Sequence, residues 1–272
     1  MHVLWDPFAQ TLMQRALIEI VILGAVGGAL GCWIVLAELS YGAESLAHGM
    51  FPGMVLAALW GIPLMVGGAG GILVAALAVA LVSRVRGVGR DNGIAVVVTT
   101  LFGLGALLAL SPAVPPGIQN LLFGDILGTT AGDLVLGAAL AAAVLVALWL
   151  LHWRLLAVGF DRTSAPSLGA SPLLVDAVLL VLLALAVLVA VQGLGNLLVV
   201  AVLVAPSAAA RVLCRRMLPM MALAIGIAVV AGLAGLYLSY YADVAAGASV
   251  AGLMVAAYLL ARGGALAVRL RL

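Results

Sequence analysis

The sequence predicts an all-α, polytopic bundle of transmembrane helices, and three observations predict it. Of 272 residues, 67% are hydrophobic and only 8% are charged. The mean hydropathy is +1.35. A soluble globular domain carries roughly 25% charged residues, so this chain lacks the polar coat that a water-facing surface needs. The apolar residues are gathered in runs of about 20, the length a helix needs to cross a bilayer. These runs are too long and too continuous for barrel strands, and in lipid a helix satisfies its own backbone.

The candidate spans cover residues 16–37, 45–62, 65–82, 93–110, 133–151, 173–191, 194–213, 217–238 and 244–260. That is nine, or eight if one of the first pair or the short seventh fails to cross. Met1 to Arg15 has no basic stretch followed by a cleavage site, so no removable signal peptide is expected. Trp5 and Phe8 suit a segment lying along the membrane interface. In the first span Glu19 follows Arg15 by four residues, a spacing that permits an ion pair within the helix. The second span opens with Tyr41-Gly-Ala-Glu44-Ser-Leu-Ala-His48-Gly-Met-Phe-Pro52-Gly53. Arg84, Arg86 and Arg90 separate the third and fourth spans. Ser111 to Gly132 holds Pro112, Pro115 and Pro116 and the short apolar piece Leu121 to Leu127, which is too short to cross and reads as an external loop with a partly inserted helix. Asp125 and Asp133 flank that piece, and Asp133 equally suits a cap for the fifth span.

The fifth span leads through His152, Trp153 and Arg154, an interfacial anchor, into a polar interruption that runs to Pro172. Within it Asp161 to Ser164 are cap-type residues, and Pro166 suits the first turn of a short helix ended by Gly169. Asp176, early in the sixth span, suits a helix N-terminus. Arg211, Arg215 and Arg216 follow the seventh span. Tyr237, Tyr240, Tyr241 and Asp243 gather at the end of the eighth, as an aromatic belt would. Arg262, Arg269 and Arg271 follow the ninth. The arginines thus fall on alternate loops, while Ser111 to Asn120, Gln192–Gly193 and Ser239 to Asp243 have none. The Arg-bearing side is expected to be cytoplasmic, with the C-terminus inside and, for nine spans, the N-terminus outside; Arg15 opposes that last placement. The whole chain, residues 1–272, reads as one transmembrane domain without internal repeats.

Several functions are excluded by composition. All twelve basic residues are Arg, the net charge is +2, and no basic patch of the kind nucleic acid requires is present. Without Lys there is no phosphate-binding loop, so any ATP that drives the protein binds another polypeptide. Cys32 and Cys214 have no CxxC partner and read as small apolar residues among helices. No HExxH motif or convincing serine or aspartate arrangement points to an intramembrane enzyme.

Ionisable residues inside apolar runs are the informative ones, since each costs about 2.5–3.5 kcal/mol at a helix centre on insertion scales. Glu44 and His48 are four apart and share one helix face. A carboxylate and an imidazole suit zinc or manganese, with zinc slightly favoured. Gly42, Gly49, Pro52 and Gly53 would let the helix start late or bend toward a cavity. Read structurally, the same pair satisfies itself within a helix bundle. Two ligands leave a four-coordinate site open, and a two-fold dimer would bring four.

Five segments in order carry a resemblance covering roughly Phe8 to Leu260. They are Leu12-Met13-Gln14-Arg15-Ala16-Leu17, the Ala43 to Gly53 stretch, Leu122-Phe123-Gly124-Asp125-Ile126-Leu127-Gly128, the set Phe160, Asp161, Ala165, Leu168 and Gly169, and Leu198 to Arg211 with Pro206. Together they resemble the permease subunits of the ABC importer family for zinc, manganese and related metal ions. The resemblance implies a second permease copy, identical or paralogous, two cytoplasmic ATPase subunits and an extracytoplasmic metal-binding protein, in a bacterial inner membrane. It implies that the ion in transit passes Glu44 and His48, the metal-site residues, as substrate, with no stably bound cofactor. It also implies that Phe160, Asp161, Ala165 and Gly169 form the segment coupled to the ATPase. Two positions depart from the family pattern: Glu44 stands where Asp is usual, and Thr163 stands where Glu is common, with Pro166 inside the short helix. Alternatives to this importer are a gradient-driven secondary metal transporter with Glu44 and His48 as a proton relay, or an ABC permease for a chelated metal or siderophore.

Overall fold

A computed structural model describes residues 6–82, 90–115, 122, 124–196 and 198–269. His2, Trp5, Arg84, Arg86, residues 116–121, Phe123 and Arg271, to which parts of the sequence reading refer, lie outside the described residues. Within them the chain is all-helical. Nine α-helices occupy the places of the nine apolar runs: α1 (Thr11–Leu36), α2 (Ser40–Trp60), α3 (Leu64–Val82), α4 (Arg90–Ala109), α5 (Ala131–Phe160), α6 (Pro172–Leu194), α7 (Val199–Leu213), α8 (Met217–Ala242) and α9 (Ala246–Arg269). Six of these, α1, α4, α5, α6, α8 and α9, are long and apolar enough to cross a membrane by length and composition.

The helix boundaries follow from local chemistry. Thr130 and Asp133 cap α5 reciprocally, the Thr130 hydroxyl accepting from the Asp133 N–H while the Asp133 carboxylate accepts from the Thr130 N–H. That settles the role of Asp133 as a cap. Pro172 opens α6, where its missing N–H costs no helical hydrogen bond. Gly61 closes α2 in the left-handed region, at φ +67°. Two runs differ from their expected extents. The fifth helix continues to Phe160 through Arg154, because Leu155-Leu156-Ala157-Val158 resumes the apolar pattern and the exposed Arg154 can extend its stem along the helix toward water. Its 30 residues, about 45 Å long at 1.5 Å per residue, match the thickness of a bilayer with its headgroups. The seventh helix begins only at Val199, since Gly195 at φ +75° ends α6 and starts a turn.

The core is built around α1, which packs against α5, α6, α7 and α8. Trp33, Leu30 and Ile34 are among its most deeply buried side chains. The helices approach closely where side chains are absent. A Cβ at Gly31 would stand 2.0 Å from the Leu203 carbonyl oxygen of α7. A second group, α2, α3 and α4, packs on itself, with α6 touching both groups. At the α2–α3 contact the backbones meet at Gly53 and Gly67, where a Cβ on Gly53 would lie 2.1 Å from the Gly67 carbonyl oxygen.

Side-chain contacts fix which helix ends lie together. Phe8, just before α1, meets the Tyr237 ring of α8 edge-on at 5.5 Å. Glu19 of α1 accepts a hydrogen bond from Thr129, just before α5, and a Cβ on Gly193 near the end of α6 would strike the Glu19 carboxylate. The starts of α1 and α5 and the ends of α6 and α8 therefore share one end of the bundle. The Phe160–Pro172 link, Arg211 in the last turn of α7, and Arg215 and Arg216 between α7 and α8 lie at the other end.

Candidate functional site

Glu44 and His48 lie on α2, a continuous helix from Ser40, so the expected one-turn spacing is present and both side chains are half-buried. His48 is about 12 Å along a helix of about 31 Å, near the middle of its length. The α1–α2 connection is short and sharp, with Glu38 at φ +58°. In the first turn the Ser45 hydroxyl donates to the Tyr41 carbonyl at 2.8 Å, so its polar group is satisfied locally.

The His48 ring lies against Phe102 of α4, with centroids 4.8 Å apart and planes 31° from parallel, and Phe102 also meets Phe51 at 5.8 Å. One side of the imidazole is therefore an aromatic wall. Its Nδ1 is buried and has no hydrogen-bond partner among the described residues. Buried polar atoms are almost always paired, so an unpaired ring nitrogen is a feature that calls for an explanation. Pro52 leaves a second lone-pair-bearing group free on the backbone. It stands four residues after His48 and has no N–H to offer the His48 carbonyl, whose usual partner it would be. An imidazole nitrogen, a backbone carbonyl and the Glu44 carboxylate thus come from a single turn of α2. Among the described residues no three His, Cys, Asp or Glu side chains gather into a metal-binding group.

The second predicted set forms one compact turn. Ala165–Leu168 is a 3₁₀ helix with Pro166 in its first turn, closed by Gly169 at φ +74°. The Asp161 carboxylate accepts from the Thr163 hydroxyl at 2.7 Å and from the N–H groups of Thr163 at 3.0 Å and Ser164 at 3.1 Å. Hydrogen bonds from the Ser164 and Thr163 hydroxyls, and from their backbone N–H groups, hold this carboxyl well below the usual carboxylate range. Ala165 is fully buried against the bundle, whereas Phe160 is 72% exposed. Arg162 pairs with Asp176, tying the segment to α6; Asp176 therefore has an ion-pair partner beyond the helix N-terminus expected for it.

One expected pairing is replaced. Glu19 does not pair with Arg15. It is 7% exposed, turned into the bundle, and bonded to Thr129. The spacing rule describes an isolated helix surface, and here the α5 and α6 ends supply a buried polar partner that spacing cannot register. Asp125 caps the short turn Ile126–Gly128 through the Gly128 N–H. Sequence reasoning missed Thr129 and also Asn196, which is fully buried with both side-chain polar atoms unpaired among the described residues. A lone Asn in the turn between two apolar helices was the available signal.

Residues 9–263 match the family described as the ABC 3 transport family. The chain is 32% identical over 250 residues to the manganese transport system membrane protein MntC of Halalkalibacterium halodurans, an alignment covering 92% of this chain and 85% of that one. It is 32% identical over 276 residues to the chelated iron transport system membrane protein YfeC of Yersinia pestis, covering 100% and 94%. Among solved structures, PsaBC from Streptococcus pneumoniae in complex with Fab superposes with a TM-score of 0.89 at 27% identity, over 96% of this chain and 94% of that one.

Proposed function

The chain belongs to the ABC 3 transport family, and from that premise we propose that it is the membrane permease of an ATP-driven importer of divalent transition-metal ions. The whole chain acts as one transmembrane domain of nine spans in a bacterial cell membrane, with the Arg-bearing loops and the C-terminus cytoplasmic. A second permease copy, cytoplasmic ATPase subunits and an external metal-binding protein complete the machine. The permease itself carries out no covalent step.

The observation that carries the reading is the His48 imidazole, one turn from Glu44, with a buried ring nitrogen that none of the described residues bonds. A neutral imidazole gives a lone pair to a borderline metal ion, and a carboxylate supplies charge and a hard oxygen. With few fixed donors per chain, the ion is held weakly enough to leave again. A symmetric partner would double the set. The names of the relatives favour manganese as cargo, with iron next; zinc fits the same donor types. The Phe160–Gly169 turn, with Asp161, Ala165 and Gly169 fixing its shape, is the segment through which the ATPase moves the helices. The apolar Phe160 face is available for it.

The test is metal uptake in cells or vesicles that contain the ATPase and binding-protein partners, comparing wild type with Glu44→Ala and His48→Ala. Uptake should fall at least tenfold in each variant while assembly with the ATPase persists. Unchanged uptake in both would remove these residues from the pathway. Uptake that survives ATP depletion and collapses with the proton gradient would replace the importer by a gradient-driven transporter.

A further inference from the structure

An imidazole does not choose its own direction. The torsion that turns a histidine ring about its stem is broad and roughly two-fold, so the contacts around the ring decide where its nitrogens point. Among the described residues the ring contact of His48 is with Phe102 of α4, face toward face, with centroids 4.8 Å apart and planes 31° from parallel.

The packing behind Phe102 holds it in place. Its ring also meets Phe51 at 5.8 Å, and Phe51 is fully buried. Phe102 and Gly105 are three apart on α4 and share the face turned to α2. A Cβ on Gly105 would stand 2.6 Å from Phe51 Cδ1 and 3.0 Å from the Pro52 nitrogen, so α4 comes this close to α2 because that side chain is absent. The close approach seats Phe102 on His48. Leu or Met could fill the same space. What a ring adds is a flat face that holds a second ring at one angle. It does so at an imidazole whose Nδ1 is buried and unbonded among the described residues, beside the His48 carbonyl that Pro52 leaves free.

We propose that Phe102 is a positioning residue of the ion pathway: its face fixes the His48 imidazole so that the ring nitrogen and the Glu44 carboxylate meet the transported ion together. Phe102 gives the ion no donor and acts through His48. A donor ordered in advance loses less freedom when the ion arrives, so a fixed ring binds more tightly than a free one. The inference rests on the importer reading of Glu44 and His48 and adds to it a residue from another helix.

The chain holds three histidines, so isotope labels in the histidine rings give few signals in a nuclear magnetic resonance spectrum. The full-length chain is purified in mild detergent with any subunits that accompany it, and the His48 signals are identified by their loss in His48→Asn. Without metal, wild type should show one sharp set for His48. Manganese alone, added as a paramagnetic probe, should broaden that set before the signals of His152, which lies on α5 against Trp33. Phe102→Leu should broaden or double the His48 set before any metal is added. It should also raise the manganese concentration for half-broadening about two- to tenfold, the range that an aromatic pair supplies. Phe102→Met, an adaptable filler without a ring, should do the same and serves in its place if the Leu variant does not melt as wild type does. Phe102→Tyr keeps the ring and should stay within about twofold of wild type. Ring signals and manganese response unchanged in Phe102→Leu and Phe102→Met would overturn the proposal and leave the ion site standing. A Phe102→Tyr response as weak as theirs would overturn it too. No selective broadening of His48 in wild type would remove the ion site itself, and the proposal with it.

Discussion

The Thr129 hydroxyl donates to the Glu19 carboxylate across 110 residues of sequence, and it does so inside the bundle, where Glu19 is almost fully buried. The same hydroxyl lies 3.0 Å from the Ile126 carbonyl, so the short turn before α5 is held to α1 by a side chain that also closes the turn. Gly193 leaves the space that the carboxylate fills. Two chain segments far apart in sequence are joined there by one polar contact, packed against a third.

Thr129→Val keeps the shape and removes the donor, leaving a buried carboxyl without its partner. The expected cost is about 1–3 kcal/mol, read as a lower melting temperature in detergent. Glu19→Gln keeps an acceptor oxygen for Thr129 and should cost less than Thr129→Val. Arg15→Ala should leave stability nearly unchanged, because Arg15 makes no ion pair with Glu19. A larger loss in Arg15→Ala than in Thr129→Val would contradict the arrangement.

The α2–α3 contact makes a sharper demand. Gly53 and Gly67 meet backbone to backbone, and an added Cβ on Gly53 would press within 2.1 Å of a carbonyl oxygen that has no flexible end to move. Gly53→Val should therefore separate the helices and destabilise by roughly 1–3 kcal/mol or more. Gly70 of α3 faces open space, and Gly70→Ala should be neutral or slightly stabilising through helix propensity. Thermal unfolding of the two variants compares the predictions directly.

Asp161 gives a prediction about pH. Its carboxylate is held below the usual range by the hydroxyls and N–H groups of Ser164 and Thr163. A depressed folded value means that its contribution is fully present above the unfolded carboxylate value, near 4, and is lost only as pH falls through the lower folded value. The 161–169 turn should thus keep the same hydrogen-exchange protection, after correction for intrinsic rates, from pH 8 to pH 5. Asp161→Asn retains one acceptor but loses the charge, and should expose the Thr163 and Ser164 amides to faster exchange across that whole range. A transition in wild type between pH 5 and 8 within this turn would count against the assignment.

How far the sequence could be read depends on whether a feature is local. The nine helices follow from apolar runs, and the Asp161–Gly169 turn follows from cap residues, a proline in the first turn and a glycine at its end. The Glu44–His48 relation was visible because both residues share one helix. What was hidden depends on tertiary contacts. The buried Nδ1 of His48 needs Phe102 from α4, and the Glu19 contact needs α5 and α6. Arg15 and Glu19 show the failure directly: the i, i+4 rule gave the nearest partner on a bare helix, and packing supplied a different one. The length of α5 was hidden because Arg154 looks like an end, although the apolar stems around it let the helix continue.

Glu44→Asp separates charge from reach. It preserves the carboxylate and withdraws it by about one methylene, so a site that needs only local negative charge should import as well as wild type. A site in which the carboxylate touches the ion together with His48 should change its discrimination, because a shorter arm changes donor distances that each metal tolerates differently. The expected result is uptake within a few-fold of wild type with an altered manganese-to-zinc preference, measured by competition between the two ions at equal free concentration. His48→Asn in the same assay keeps a polar side chain but removes the imidazole, and should depress zinc uptake more than manganese uptake, since zinc favours nitrogen donors more strongly. If Glu44→Asp leaves the preference unchanged and His48→Asn lowers both metals equally, the two side chains act on the stability or field of α2 and do not touch the ion.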